Sequence, residues 1–203
     1  MPAFRTSSQY WNDRYREGGN SGTGSAGRLA VFKAETLNNF MRRHGVNTVI
    51  EFGCGDGVQL ALAEYPPYVG IDASPKAVEI CREKFKPDSS KRFFNASDVS
   101  MSTLDKAELS LSLDVIFHLV EDDVFNAYMK ALFEWALRYV IIYSSNEDKS
   151  WTDPHVKHRA FTRWVHQNGP NWTLLEKVSN RYPYDPADPD NTSFCDFYIY
   201  ERP

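Results

Sequence analysis

Nine consecutive residues, Val49-Ile50-Glu51-Phe52-Gly53-Cys54-Gly55-Asp56-Gly57, constrain the fold of this chain more than any other stretch. The apolar, β-branched run from Thr48 to Phe52 reads as a buried strand, and three glycines at alternate positions follow it at once. Glycine permits positive φ and lets a ligand approach the backbone closely. Tight strand-to-helix turns also use glycine for steric reasons alone. In open α/β sheets ligands bind beyond the carboxyl ends of the strands, where this turn must lie.

Upstream, Leu29, Phe32, Lys33, Leu37, Phe40 and Met41 recur at helical spacing, and His44-Gly45 ends the run. Downstream the pattern alternates. Val58 to Ala63 reads as a helix and Tyr68 to Ile71 as a strand. Pro75 to Phe85 reads as a helix, with Ser74 at its N-cap and Pro75 at its first position. Strands are expected at Arg92–Asn95 and Glu108–Leu113. An amphipathic helix is expected at Val124–Leu137, with Val124, Tyr128, Ala131, Leu132 and Trp135 on one face. Tyr139 to Tyr143 is β-branched and aromatic throughout, hence a strand buried on both faces. His155–Gln167 reads as helical, Thr173–Val178 as extended and Phe194–Tyr200 as the last strand. This order predicts an α/β, Rossmann-like fold: a seven-stranded, mostly parallel sheet with helices on both faces. The closing pair lacks a full helix between its strands, which predicts a hairpin and one antiparallel strand. The length of 203 residues suits a single domain, with residues 1–45 as an N-terminal lid and helix and residues 46–203 as the core.

A net charge of -4 argues against a long polyanionic partner such as DNA or RNA. No run of about 18 apolar residues is present, so no membrane span is expected. The first residues lack the apolar region of a secretory signal, and Cys54, Cys81 and Cys195 have no metal-ligand spacing. A cytoplasmic protein without a bound metal, monomeric or a homodimer, is the expectation.

Acidic residues stand beside three strand ends: Glu51, Asp72 in VGIDAS and Asp98 in FFNASDV. Packing gains nothing from charge at such positions. A carboxylate at Asp72 is placed to accept both hydroxyls of a ribose, and Asp98 with the Val99 amide can read an adenine edge. Glu51 to Gly57 resembles motif I of the class I S-adenosylmethionine (SAM)-dependent methyltransferases, Asp72 the ribose-binding acid of motif II, and Asp98-Val99 motif III. The segment Leu111 to Asp122 is similar to the one after strand four in that family, so the resemblance spans about Thr48 to Ser145. It implies SAM as cofactor, held by Glu51, Gly53, Cys54, Gly55, Asp72, Ala73, Asp98, Val99 and Asp114. A dinucleotide is the alternative, but its GxGxxG fingerprint requires a third glycine where Val58 stands. The Pro-Gly-Gly turn many members carry before strand five is replaced by Ala136-Leu137-Arg138.

For the acceptor, histidine is the side chain best suited to removing a proton near neutral pH. His118 follows the fourth strand; His155 and His158 lie in DPHVKHR after the fifth, and all three are candidate bases. The HxxH pair lacks further metal ligands, while His44 and His166 read as a helix end and an exposed helix face. Trp11 and Tyr15, one helical turn apart, read as core packing or as a lid. The segment Gly18–Gly27 reads as a hinge or as a cradle of free amides and hydroxyls, giving Tyr15, Asn20, Ser21, Ser25 and Lys33 as acceptor-binding candidates, with Arg28 beside them. The loop Tyr182–Asn191 reads as a surface loop or part of an acceptor wall. The combined pattern looks like methyltransferases of bacterial surface-polysaccharide biosynthesis, which implies O-methylation of a sugar or phosphorylated precursor. N-methylation of a small amine or amide, and a non-catalytic SAM-binding partner protein, are the alternatives. A nucleic-acid methyltransferase is disfavoured, since Leu113-Asp114-Val115-Ile116 stands where an Asn-Pro-Pro-Tyr-type tetrapeptide would.

Overall fold

The computed structural model describes residues 4–98 and 104–203. The elements run α1 (Ser7–Arg16), α2 (Gly27–His44), β1 (Val49–Phe52), β2 (Tyr68–Asp72), α3 (Pro75–Lys84), β3 (Lys91–Asn95), β4 (Ala107–Leu113), α4 (Asp122–Glu134), β5 (Ala136–Ser144), α5 (Phe161–Asn168), β6 (Thr173–Val178) and β7 (Asp196–Glu201). The seven strands form one sheet in the order β3-β2-β1-β4-β5-β7-β6. Neighbours from β3 to β5 are parallel, and β7 runs antiparallel to both β5 and β6. The expected closing hairpin is therefore β6–β7.

Side-chain alternation along the strands divides the core into two layers. Val49, Leu109, Leu111, Tyr139, Ile141 and Tyr143 face α2 and α3, packing on Leu37, Phe40, Val78 and Cys81. Ile50, Phe52, Ile71, Val140 and Ile142 face α4 and α5, packing on Met129, Leu132, Phe133 and Phe161. Ser74 caps α3 as expected, its hydroxyl accepting from the Ala77 amide, with Pro75 in the first turn.

Three local expectations are corrected. Between Val58 and Ala63 there is only a 3₁₀ turn, Leu60–Leu62. Gly57 takes φ 69° and Pro66-Pro67 follows closely, leaving no room for a full helix. Helix α4 buries Phe125, Met129, Leu132 and Phe133, while Val124 is 42% exposed. Both stripes have helical spacing. The packed one is wholly apolar, whereas Tyr128, Ala131 and Trp135 are only partly buried beside it, and β5 starts at Ala136, one residue before the expected helix end. His155 to Ala160 is irregular and α5 starts only at Phe161. Here the segment bonds to the turn after β4: the backbone Lys157 N donates to Phe117 O at 2.7 Å, and the Arg159 guanidinium donates to Leu119 O and Val120 O.

Candidate active site

A cavity of about 390 Å³ lies over the carboxyl ends of the parallel strands, a size typical of small-molecule sites. Its floor is built from the strand ends in spatial order: Ala96 after β3, Asp72 and Ala73 at β2, Gly53 to Gly55 after β1, and Leu113 to Val115 after β4. Ser7, Ser8, Trp11 and Tyr15 of α1, with Ser21 and Ser25, cover the opposite side.

The glycine turn is fixed to β2. Gly53 N and Cys54 N both donate to Ile71 O, and Gly55 N donates to Asp72 Oδ2 at 2.9 Å. Gly53 (φ 81°) and Gly55 (φ 58°) have the left-handed backbone that this path requires. Asp72 Oδ1 accepts from Ser74 N at 2.8 Å. Burial raises the Asp72 pKa above the usual carboxylate value, while the Ser74 and Gly55 amides act to lower it. A buried acceptor lining the cavity, with one amide on each oxygen, suits a vicinal diol.

Glu51 lies inside the sheet and lines the cavity, with Tyr68 Oη donating to its Oε2 at 2.6 Å. Burial pushes its pKa up to about 7, against the Tyr68 hydrogen bond and the nearby Lys33 cation. Asp114, which has φ 59° despite being a non-glycine residue, accepts from Lys33 Nζ at 2.6 Å. Lys33 is 1% exposed. Asp98 is exposed and does not line the cavity, and Val99 is outside the described residues.

His118 lines the cavity from the 3₁₀ turn Ile116–His118. Its Nδ1 lies 3.1 Å from His155 O. A carbonyl oxygen only accepts, so Nδ1 carries the hydrogen and Nε2 of the neutral ring keeps its lone pair. Burial holds the His118 pKa down to about 4. His155 does not line the cavity; it stacks between Tyr10 (4.3 Å) and His118 (5.4 Å). His158 is 4% exposed, bonded to Ser145 Oγ at 2.7 Å and boxed by Trp151 and Phe194, away from the cavity lining.

The glycine-rich segment is partly bonded within the protein, with Ser21 and Gly22 committed, while Ser25 lines the cavity. Ser21 N and Oγ both donate to Asp56, Gly22 N donates to Asn20 Oδ1, and Tyr15 Oη meets Ser21 Oγ at 2.9 Å. Asn20 is exposed, off the cavity, and its carbonyl accepts from Arg14 Nε. The candidate Lys33 and its neighbour Arg28 are both paired, Lys33 with Asp114 and Arg28 with Asp188. The loop Tyr182–Asn191 packs on Arg28 and does not line the cavity.

Sequence reasoning missed three contributors. Tyr128 reads from the sequence only as part of a packed helix face, yet its hydroxyl donates to Phe52 O and lies 2.8 Å from Ser112 Oγ, from which it accepts, beside the glycine turn. Asp56 is the anchor for Ser21. Ser7 fastens α1 to Glu121 and Val120. Asp56 lies within the glycine motif and Tyr128 on the apolar face of α4, but nothing local marks Ser7, whose partner is 114 residues away.

No helix among the described residues is long and apolar enough to cross a membrane, and they contain no group of three or more side chains suited to a metal ion.

Residues 49–136 match the family model described as a methyltransferase domain. No curated protein matches the sequence. Among solved structures, magnesium protoporphyrin IX methyltransferase from Synechocystis PCC 6803 with bound S-adenosylhomocysteine (SAH) is 15% identical, with 96% of this chain and 97% of that one covered and a TM-score of 0.68. The N-methyltransferase NodS from Bradyrhizobium japonicum WM9 in complex with SAH is 16% identical, with 98% and 100% covered and a TM-score of 0.68. The methyltransferase domain of bacterial CtHen1-C is 18% identical, with 86% and 98% covered and a TM-score of 0.67. This chain has the fold of the class I SAM-dependent methyltransferases, and residues 49–136 carry the match to the methyltransferase-domain family.

Proposed function

We propose that this chain, residues 1–203 acting as one domain, is a SAM-dependent methyltransferase that methylates a hydroxyl of a small polar acceptor. The observation that carries this reading is one cavity lined by the buried Asp72 carboxylate, the glycine turn and His118, whose Nδ1 is taken by His155 O. Asp72 would hold the ribose hydroxyls, and Gly53, Cys54 and Gly55 would pass along the thioether. Ala73, Leu119 and Val124 offer apolar walls for the adenine. Bound there, SAM supplies an electrophilic methyl group on a sulfonium. His118 Nε2 would accept the proton that the acceptor hydroxyl loses when it takes the methyl group and SAH is left. The attacking oxygen becomes oxonium-like as it takes the methyl group and is then strongly acidic, so a base with a pKa of about 4 is sufficient. Holding the two reactants together in a covered cavity supplies the orientation that a displacement needs.

A sugar hydroxyl fits better than a phosphorylated precursor, because Lys33 and Arg28 are both committed to carboxylates. A role in surface-polysaccharide biosynthesis rests on the sequence resemblance alone. The test is a methyl-transfer screen of neutral glycosides, sugar phosphates and amines, with SAH release as readout. Turnover on hydroxyl acceptors that falls about 100-fold in His118→Asn, at unchanged SAH affinity, supports the reading. Turnover confined to amines and unaffected by that substitution replaces it with N-methylation.

A further inference from the structure

The sequence places Lys33 on the acceptor side, and the structure pairs it with a carboxylate on the cavity wall. Lys33 reaches from α2 into the cavity, where its ammonium meets Asp114 Oδ2 at 2.6 Å at the end of β4. Four strand ends in the order β3-β2-β1-β4 form the floor. Neighbouring strands lie about 4.8 Å apart, so the floor extends about 14 Å from β3 to β4. If Asp72 at β2 takes the ribose, the adenine lies toward β3 and the chain beyond the ribose runs over β1 to β4. Its far end then arrives at Lys33 and Asp114. That end of SAM is an amino acid, carrying one ammonium and one carboxylate.

The pair is built to be met by such a group. Lys33 is the cation that Asp114 meets, and the Asp114 side chain keeps 17% exposure while that of Lys33 keeps 1%. Gly24 passes so close that an added Cβ would lie 3.0 Å from Asp114 Oδ2, so the covering segment closes directly on the carboxylate. The lysine is fixed over the Tyr143 ring, 5.3 Å from its centroid. A lone charge arriving here would leave one member of the pair opposed. A zwitterion satisfies both.

We infer that Lys33 and Asp114 form a clamp for the amino-acid end of the cofactor, with Asp114 receiving the ammonium and Lys33 the carboxylate. The clamp makes the cavity selective for SAM and SAH over nucleosides that lack the amino acid. The inference rests on the methyltransferase reading and fails separately from it.

The test is calorimetric titration of the full chain and its Lys33→Met, Lys33→Arg and Asp114→Asn variants with two probes. SAH carries the amino acid; 5′-deoxy-5′-methylthioadenosine keeps the nucleoside and thioether without it. The expected result is a loss of about tenfold or more in SAH affinity for K33M and D114N, with methylthioadenosine affinity unchanged and K33R intermediate. Unchanged methylthioadenosine binding also shows that the variants are folded, and D114N stands as an isosteric second variant if K33M does not fold. Unchanged SAH affinity in both variants would overturn the clamp and return Lys33 to the acceptor. A parallel loss of both probes would overturn it as well, assigning the pair a purely structural role. Wild-type protein that binds neither probe would instead sink the methyltransferase reading.

Discussion

Asp72 and Gly55 are joined across the cavity floor by a 2.9 Å hydrogen bond from the Gly55 amide to the Asp72 carboxylate. The acid of the second strand and the glycine of the first turn thus form one unit. Substitution at either residue is expected to disturb the other.

Gly55→Ala is expected to be severe. Its φ of 58° strains any other residue, and a Cβ there would lie 2.5 Å from Ser21 Oγ and 3.0 Å from Tyr15 Oη. The clasp between Ser21 and Asp56 would have to open. A loss of about 2 kcal/mol in unfolding free energy is expected, with SAH binding below detection. Urea denaturation and calorimetry check the two parts separately.

The α1 cover is held at its start by Ser7. Its amide and hydroxyl donate to Glu121 at 2.9 and 2.6 Å, and its hydroxyl accepts from Val120 N at 2.9 Å. Ser7→Ala removes the two hydroxyl bonds without touching the cavity floor. Faster exchange of the α1 amides and a SAH dissociation rate raised about tenfold are expected, with little change in melting temperature. Unaltered exchange in α1 would show that packing of Trp11 and Tyr15 alone holds the cover.

Two buried groups in the cavity titrate with opposite effects on stability. His118 has its pKa depressed from 6.5 to about 4, so between those values the unfolded chain binds the extra proton and stability falls as pH falls. Glu51 has its pKa raised from 4.5 to about 7, so in that window the folded protein binds the extra proton and stability rises as pH falls. Each contribution is on the order of 3 kcal/mol across its window. Glu51→Gln is therefore expected to unmask a decline in stability from pH 6.5 to 4, and His118→Phe a gain from pH 7 to 4.5. Denaturant midpoints measured against pH for both variants check this. Parallel curves for wild type and variants would show that neither group carries its shift.

The sheet and its glycine turn were legible because local chemistry specifies them. Strands buried on both faces read as continuous apolar runs, and Ser74-Pro75 marks a helix start without tertiary help. The failures arose where tertiary bonds overrode local pattern. His155 to Ala160 has helical spacing, but its backbone is taken by the turn after β4. The α4 face was misread because two apolar stripes fit the period and only the sheet selects between them. At the site, residue type picks out Asp72, Gly55 and His118, all of which line the cavity. It gives no view of pairing, so nothing in the sequence shows that Lys33 and Arg28 each already have a carboxylate.

The central claim is that this cavity holds the nucleoside of SAM through Asp72. Isothermal titration of the wild-type chain and Asp72→Ala with SAH tests it most directly. Micromolar binding by the wild type, weakened about 100-fold or more in the variant, is the expected result. Wild-type protein that gives no heat at millimolar SAH, or equal affinity in the two proteins, would contradict it.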